Sequence, residues 1–129
     1  MIKAKINTIK NHENINWVEF LTNKHKLYML ALELDEKASI DQEVLLAFKS
    51  NECLLSKKNL ENSFLNTFYA KIIDIFQGQI ITIIRLENEI CTFEAQISTH
   101  EFLEQNYQKN DFLFAYVHPS TLFIKEYLC

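Results

Sequence analysis

Two short stretches decide the fold: AKINTI at residues 4–9 recurs as AKIIDI at residues 70–75. Both mix apolar and polar residues with a period near two, the pattern of a strand with one buried face. Further similar pairs follow them, LYMLALEL at 27–34 with ICTFEAQI at 90–97, and VLLAFK at 44–49 with LFAYVH at 113–118. The repetition predicts two copies of one unit, at residues 1–58 and 64–129.

Each unit is predicted to form five short strands, which in the second unit fall at about 68–76, 79–87, 90–97, 112–118 and 121–127. A short helix is predicted between the third and fourth of these strands. Ser98 or Thr99 would cap it, and Glu101 would help to close a capping box. The first unit has only residues 35–39 at that point. The predicted fold is mainly β, two tandem OB-like five-stranded barrels with a helix in the second unit.

The amino-acid composition argues against some classes of function. The 129 residues are 48% hydrophobic, and the formal net charge is −4. An acidic chain with Arg85 as its single arginine is a poor candidate for direct nucleic-acid binding. The longest apolar runs, such as residues 80–84, are far shorter than the roughly 20 residues that span a bilayer. We therefore expect neither nucleic acid nor membrane as a partner.

The three cysteines, Cys53, Cys91 and Cys129, are an odd number without a C-x-x-C pair. This spacing argues against a disulfide framework and against a zinc site, and it favours a reducing cytoplasm. Cys53 and Cys91 are predicted to lie in strands as buried, inert thiols. The sequence contains no P-loop, nucleophile motif or pair of catalytic carboxylates, so we expect no catalytic residues, no metal site and no enzyme activity.

Several weak motifs occur in the same order in both halves. KAK at 3–5 and YAK at 69–71 stand early in the units, followed by DQEV at 41–44 and NDFL at 110–113. FKS at 48–50 and VHPS at 117–120 stand near the unit ends, and SFLN at 63–66 and STHE at 98–101 occur in unit two. With this element order, the chain resembles a tandem TOBE (di-TOBE) domain, as in molbindins and in the ligand-sensing half of molybdate-responsive regulators.

The resemblance implies non-covalent binding of molybdate or tungstate at interfaces between units or subunits, without another cofactor. Backbone N–H groups, hydroxyls and a cation supply the donors that a tetrahedral dianion needs. The residues that stand at family motif positions, and so become the candidate oxyanion ligands, are Lys49, Ser50, Ser63, Asn66, Ser98, Thr99 and His118. For Ser98 and Thr99 the favoured interpretation is a helix cap.

Two interpretations stay open at this point. The first is a cytoplasmic molybdate or tungstate protein for storage, buffering or sensing. The second is a TOBE-derived assembly module with a degenerate anion site, accessory to molybdate transport or regulation, and it is favoured by Leu65, Asp35 and Glu101 at motif positions. Because units this small bury little surface alone, both interpretations predict a homo-oligomer, most simply a dimer.

Overall fold

A computed structural model describes residues 1–23 and 25–129, and it confirms a mainly β fold with one short α-helix in the second half. No helix within these residues is long and apolar enough to cross a membrane. The elements are β1 (Ile2–His12), β2 (Ile15–Thr22), β3 (His25–Ala31), β4 (Glu43–Ala47), a 3₁₀ helix (Ser50–Glu52), β5 (Leu54–Ser56), β6 (Asn66–Gln77), β7 (Ile81–Glu87), β8 (Thr92–Ser98), α1 (Thr99–Gln105), β9 (Phe112–Val117) and β10 (Phe123–Tyr127).

The ten strands form two antiparallel five-stranded sheets that exchange their fifth strands. The first sheet has the order β10-β4-β1-β2-β3, and the second has the order β5-β9-β6-β7-β8. Thus β10, from the end of the chain, pairs with β4 of the first half, and β5 pairs with β9 of the second half. Each sheet is completed by the other half of the chain, while the division into units at 1–58 and 64–129 stays a prediction.

The two sheets share a β-bulge at equivalent positions. The β1–β2 register shifts between Ile6 and Thr8, and the β6–β7 register shifts between Ile72 and Asp74. The two bulges lie 66 residues apart, as AKINTI and AKIIDI do. A bulge bends a strand and increases its twist, so the same curvature is built into both sheets.

The third strands repeat with the same spacing, which corrects one sequence match. Val18 faces Met29 and Ile84 faces Ala95, so β3 and β8 are also offset by 66 residues. The match of 27–34 with 90–97 was therefore wrong by three positions. LYMLALEL is apolar on both faces, so its pattern does not specify which side chains point inward.

An aromatic cluster joins the two halves at the centre of the molecule. Phe48 follows β4, and its ring lies 6.0 Å from that of Phe68 on β6 and 5.6 Å from that of Phe93 on β8. Phe68 and Phe93 are themselves 5.7 Å apart and are almost fully buried. Phe48, at which the chain leaves the first sheet, therefore packs against the second sheet, and this contact directs the chain toward β5.

Candidate functional site

The segments that carry the exchanged strands between the sheets, residues 48–53 and 117–122, are called here the crossover turns. In the first, the Glu52 N–H donates to the Lys49 carbonyl at 2.9 Å. In the second, the Thr121 N–H donates to the His118 carbonyl at 2.9 Å. Lys49 and His118 therefore occupy equivalent positions in the two copies, and both side chains are exposed.

Lys49 and Ser50 present donors that the protein leaves available. Lys49 has no carboxylate within 4.0 Å among the described residues, and Ser50 is half-buried. Ser50 lines a cavity of about 320 Å³ together with Lys125 and Glu94. A cation, a hydroxyl and a carboxylate thus share this space, so its charge is mixed.

The His118 ring is held in one orientation by its own turn. Its Nδ1 accepts a hydrogen bond from the Ser120 N–H at 3.1 Å and lies 2.8 Å from the Ser120 hydroxyl. Because Nδ1 accepts from a backbone N–H, the neutral ring carries its proton on Nε2. The hydrogen-bond network therefore assigns His118 one N–H donor that points away from the turn.

The two crossover turns meet at a second cavity of about 310 Å³, called here the turn cavity. Asn51 from the first turn and His118 from the second both line it. Leu65, which the TOBE resemblance places at an arginine position, also lines this cavity. The remaining lining residues are Glu52, Cys53, Leu54 and Tyr116. The cavity thus brings together one residue from each of two motif segments, Leu65 and His118, and the residues that directly follow FKS. Leu65 supplies no donor, and Glu52 is acidic.

Asn66 is a structural clamp between the sheets. Its side-chain oxygen accepts from the Tyr28 N–H at 2.8 Å, and its side-chain nitrogen donates to the Tyr28 carbonyl at 2.9 Å. Asn66 is buried on β6 and Tyr28 lies on β3, so this pair of bonds ties the two sheets together. Sequence reasoning missed this role because an asparagine after a polar segment is typical of a turn.

Ser63 lies apart from these donors, in the exposed segment between the halves. The preceding residue, Asn62, accepts from the N–H groups of Phe64 and Leu65 at 3.2 and 2.8 Å. These bonds make an Asx-type turn around Ser63. The Ser63 hydroxyl remains exposed, and Ser63 lines neither the turn cavity nor the cavity beside Lys125.

Ser98 and Thr99 lie at the start of α1 and hold the helix in place. The Ser98 hydroxyl accepts from the Glu101 N–H at 2.9 Å, which confirms the predicted N-cap. The Thr99 hydroxyl donates to the Gly78 carbonyl and hydrogen-bonds the Thr82 hydroxyl, both at 2.8 Å. Both hydroxyls are engaged in structural bonds, and neither residue lines the turn cavity.

The cysteines lie beside strands rather than within them. Cys53 and Cys91 each precede a strand, β5 and β8 respectively, so the predicted location in strands was wrong by one residue. Burial raises the pKa of Cys53 to about 12 and that of Cys91 to about 11, which keeps both thiols protonated at neutral pH. The described residues contain no group of three His, Cys, Asp or Glu side chains that could hold a metal ion.

The fold and the crossover turns define a class of protein, the duplicated OB-like β proteins. Within this class the chain is similar to the cytoplasmic molybdate-binding protein ModG in a crystal structure with molybdate bound. The TM-score is 0.86 at 16% sequence identity, over 95% of this chain and 92% of that one. No protein-family model matches the sequence, and no curated protein is similar to it in sequence. The similarity to ModG is therefore one of fold.

Proposed function

We propose that this chain is a cytoplasmic di-TOBE protein that binds molybdate or tungstate non-covalently, for storage, buffering or sensing. The observation that carries the proposal is the turn cavity, where both crossover turns converge in a fold shared with molybdate-binding ModG. The proposed side-chain donors are His118, which lines the turn cavity, and Lys49 and Ser50, which precede the lining residue Asn51 on the first crossover turn without lining the cavity themselves. Ser63, Asn66, Ser98 and Thr99 form a second group of candidates. Asn66, Ser98 and Thr99 make structural hydrogen bonds, and Ser63 lines neither cavity.

The proposed chemistry is recognition of a tetrahedral dianion by converging donors. The Lys49 ammonium brings three N–H donors and a full positive charge, and the His118 Nε2–H adds a neutral donor. Glu52 opposes a dianion by like-charge repulsion, which a partly buried site screens less than bulk water does. A second subunit that covers the turns would supply further donors, as expected for sites at interfaces between units or subunits.

An exposed aromatic patch on the second sheet supports the proposed homodimer. Tyr69 stacks on Phe112 at 5.3 Å and contacts Phe114 at 4.7 Å, and Tyr69 and Phe112 are both about half exposed. Contiguous exposed aromatic surface is typical of association sites. Light scattering at micromolar concentration should give the mass of a dimer or a larger oligomer, and a monomer alone would argue against this part of the proposal.

Thermal unfolding with four anions tests the ligand. A ligand that binds only the folded state raises stability by RT ln(1 + [L]/Kd), so molybdate and tungstate should raise the melting temperature by similar amounts. Sulfate is smaller than molybdate and tungstate, so the donors would lie at poor hydrogen-bond distances from its oxygens. Phosphate is the fourth anion. Calorimetry that finds sulfate bound as tightly as molybdate would remove the assignment.

The alternative function is an assembly module with a degenerate anion site, accessory to a molybdate transporter or regulator. Its supporting observation is the lining of the turn cavity, where Leu65 replaces a family arginine and Glu52 adds negative charge. If none of the four anions changes the melting temperature, this alternative replaces the first proposal.

A further inference from the structure

The two sheets differ most where α1 lies, and this difference leaves an open groove on the first sheet. Eleven residues, 32–42, connect β3 to β4, whereas thirteen residues, 99–111, connect β8 to β9. The shorter connection forms a turn in which the Ala38 N–H donates to the Asp35 carbonyl at 2.9 Å. It builds no α-helix, so the first sheet lacks the helix that covers the second.

In the second sheet, α1 sits on the start of β7 and the end of β8. Thr99 is held there by Gly78 and Thr82, and Phe102 and Tyr107 are buried in the core. The 66-residue offset maps Ile81 and Thr82 onto Ile15 and Asn16. The start of β2 and the end of β3 are therefore the counterpart of the surface that α1 covers.

At this counterpart the first sheet has an apolar groove of about 800 Å³, called here the helix groove. Leu32 is 74% exposed, which is unusual for a large aliphatic side chain in an apolar groove. Ile15 is 46% exposed, and its counterpart Ile81 is exposed to the same extent, at 47%. The lining residues used in this argument are Ile15, Leu30, Leu32, Glu33, Asp35 and Phe123. Leu32, whose counterpart in the second sheet is the polar Ser98, is the exposed apolar side chain that distinguishes this groove.

Charge decides what kind of helix fits the groove. Glu33 and Asp35 are the charged residues that line it within the described part of the chain, and both are acidic. The helix of a second copy is a poor occupant, because its accessible side carries Glu101 and Glu104 beside the exposed Leu103. Like charges would meet at the rim, so the groove favours a helix with lysine or arginine flanks.

We propose that the helix groove docks a short amphipathic helix of a partner protein, with an apolar stripe and basic flanking residues. The apolar stripe takes the place that Phe102 of α1 takes in the second sheet, and the basic residues lie beside Glu33 and Asp35. This helix-in-groove interaction uses anchors spaced at i, i+3 or i+4, and i+7. It holds whether or not the crossover turns bind an oxyanion.

Two synthetic helices test the docking. One is a stapled peptide of about three turns with leucines at i, i+3 and i+7 and lysine flanks, and the other carries glutamate flanks instead. Fluorescence anisotropy should show binding of the lysine peptide and at least about tenfold weaker binding of the glutamate peptide. Glu33→Lys should reverse or abolish this preference. Failure of the parent to bind either peptide, or equal binding of both, overturns the proposal.

Matched variants locate the site. Leu32→Glu should weaken binding of the lysine peptide by at least about tenfold, because it removes an apolar contact in the groove. The added negative charge would by itself attract the lysines, so a loss of affinity reports the apolar contact. Ile80→Glu is the control, because Ile80 is 79% exposed and lies outside the groove. Equal effects of the two substitutions contradict the assignment. If the parent self-associates and Leu32→Glu alone dissociates it, the occupant is a second copy and the proposal is wrong.

A graft within the chain gives an independent test. Replacing residues 32–42 by a copy of residues 98–111 would provide the first sheet with its own helix. A folded graft, checked by circular dichroism, should lose binding of the lysine peptide because the groove is filled. A folded graft that binds the peptide like the parent places the docking surface elsewhere.

Discussion

The side-chain amide of Asn66 makes two hydrogen bonds to one residue, Tyr28, across the boundary between the sheets. Asn66→Ala would leave a backbone N–H and a carbonyl of Tyr28 without partners at a part-buried site. We expect the free energy of unfolding to fall by about 3 kcal/mol, measured by urea denaturation. Asn66→Asp keeps the acceptor but loses the donor, so it should be destabilising as well. A loss of less than about 0.5 kcal/mol in both variants would contradict the clamp.

Lys49 is the residue on which the oxyanion proposal can be tested most directly. Lys49→Ala removes a charge-assisted donor worth roughly 1.5–3 kcal/mol, so molybdate affinity should fall about 10- to 100-fold in calorimetry. Stability should hardly change, because Lys49 is exposed. Lys49→Arg should lose part of the affinity, since a planar head cannot reproduce the point contact. Lys109→Ala, also at an exposed position, is the matched control.

If Lys49→Ala binds molybdate as tightly as the parent, the site lies elsewhere, and Ser63 and Ser98 are the next residues to test. Their variants would then be titrated with molybdate in the same way. Binding of no oxyanion by either the parent or the variant would favour the assembly module instead.

The bulge in β1 carries a pH-dependent contact. Asn7 is the extra residue of the bulge, and its side-chain nitrogen donates to the Glu19 carboxylate at 2.6 Å. This hydrogen bond is the main cause that lowers the pKa of Glu19 in the folded protein, with Lys26 adding to it. A lowered folded-state pKa means that the contact stabilises the protein above the unfolded-state pKa. The stabilisation is lost as the pH falls through the folded-state pKa.

Asn7→Ala should therefore reduce the free energy of unfolding by about 1 kcal/mol at neutral pH and by less near pH 3. Urea titrations at the two pH values measure the difference. Lys26→Ala is the comparison, because the ammonium of Lys26 is exposed to solvent and its ion pair with Glu19 should contribute less. An effect of Asn7→Ala that is equally large at both pH values would show that the bulge geometry, and not the carboxylate, is responsible.

At the scale of single elements, α1 depends on its N-cap residue, Ser98. The Ser98 hydroxyl satisfies the Glu101 N–H, and Ser98→Ala should lower the free energy of unfolding by about 1 kcal/mol. Ser98→Asp keeps a capping oxygen and should retain the stability in thermal or urea unfolding. If Ser98 were also an oxyanion ligand, the aspartate would repel molybdate, so weaker binding by the stable Ser98→Asp variant would identify it as one.

The strands show what sequence can and cannot specify. Alternating residues predicted β6 to β10 and their counterparts because one face of each strand is buried. The partner of the fifth strand was not predictable, because residues 53–55 and 122–124 are similar and either sheet would accept either segment. The choice depends on Phe48, which packs against Phe68 and Phe93. Both residues are distant from Phe48 in sequence, so no local sequence pattern indicates this contact.

Part of the geometry around the candidate residues could be predicted from the repeat, and part could not. The repeat placed Lys49 and His118 at matching positions, and the structure shows the same turn hydrogen bond at each. The bonds of Asn66 to Tyr28 could not be predicted, because they join residues of different sheets. The donor on His118 Nε2 could not be predicted either, since it depends on the Ser120 N–H that the Nδ1 atom accepts.

At the scale of the whole molecule, strand exchange predicts how the halves behave when separated. The proposed unit 1–58 contains β5 but lacks β10, and the two strands are equivalent in the repeat. One fragment can therefore donate its β5 to the β4 of another, and we expect a strand-exchanged dimer of 1–58 in sedimentation experiments. Fragment 1–49, which lacks β5, should not form this dimer. A folded monomer of 1–58 would show that the strand can pair within its own half.

The pairing of β10 with β4 also sets an order of events during translation. Residues Phe123–Tyr127 are synthesised after the other nine strands, yet they complete the sheet whose other four strands are synthesised first. The nascent first half therefore waits with an unpaired β4 edge, the kind of surface that recruits other strands and chaperones. Slow elongation over the second half should lengthen this exposure, so the yield of soluble protein should depend on how quickly the ribosome completes β10.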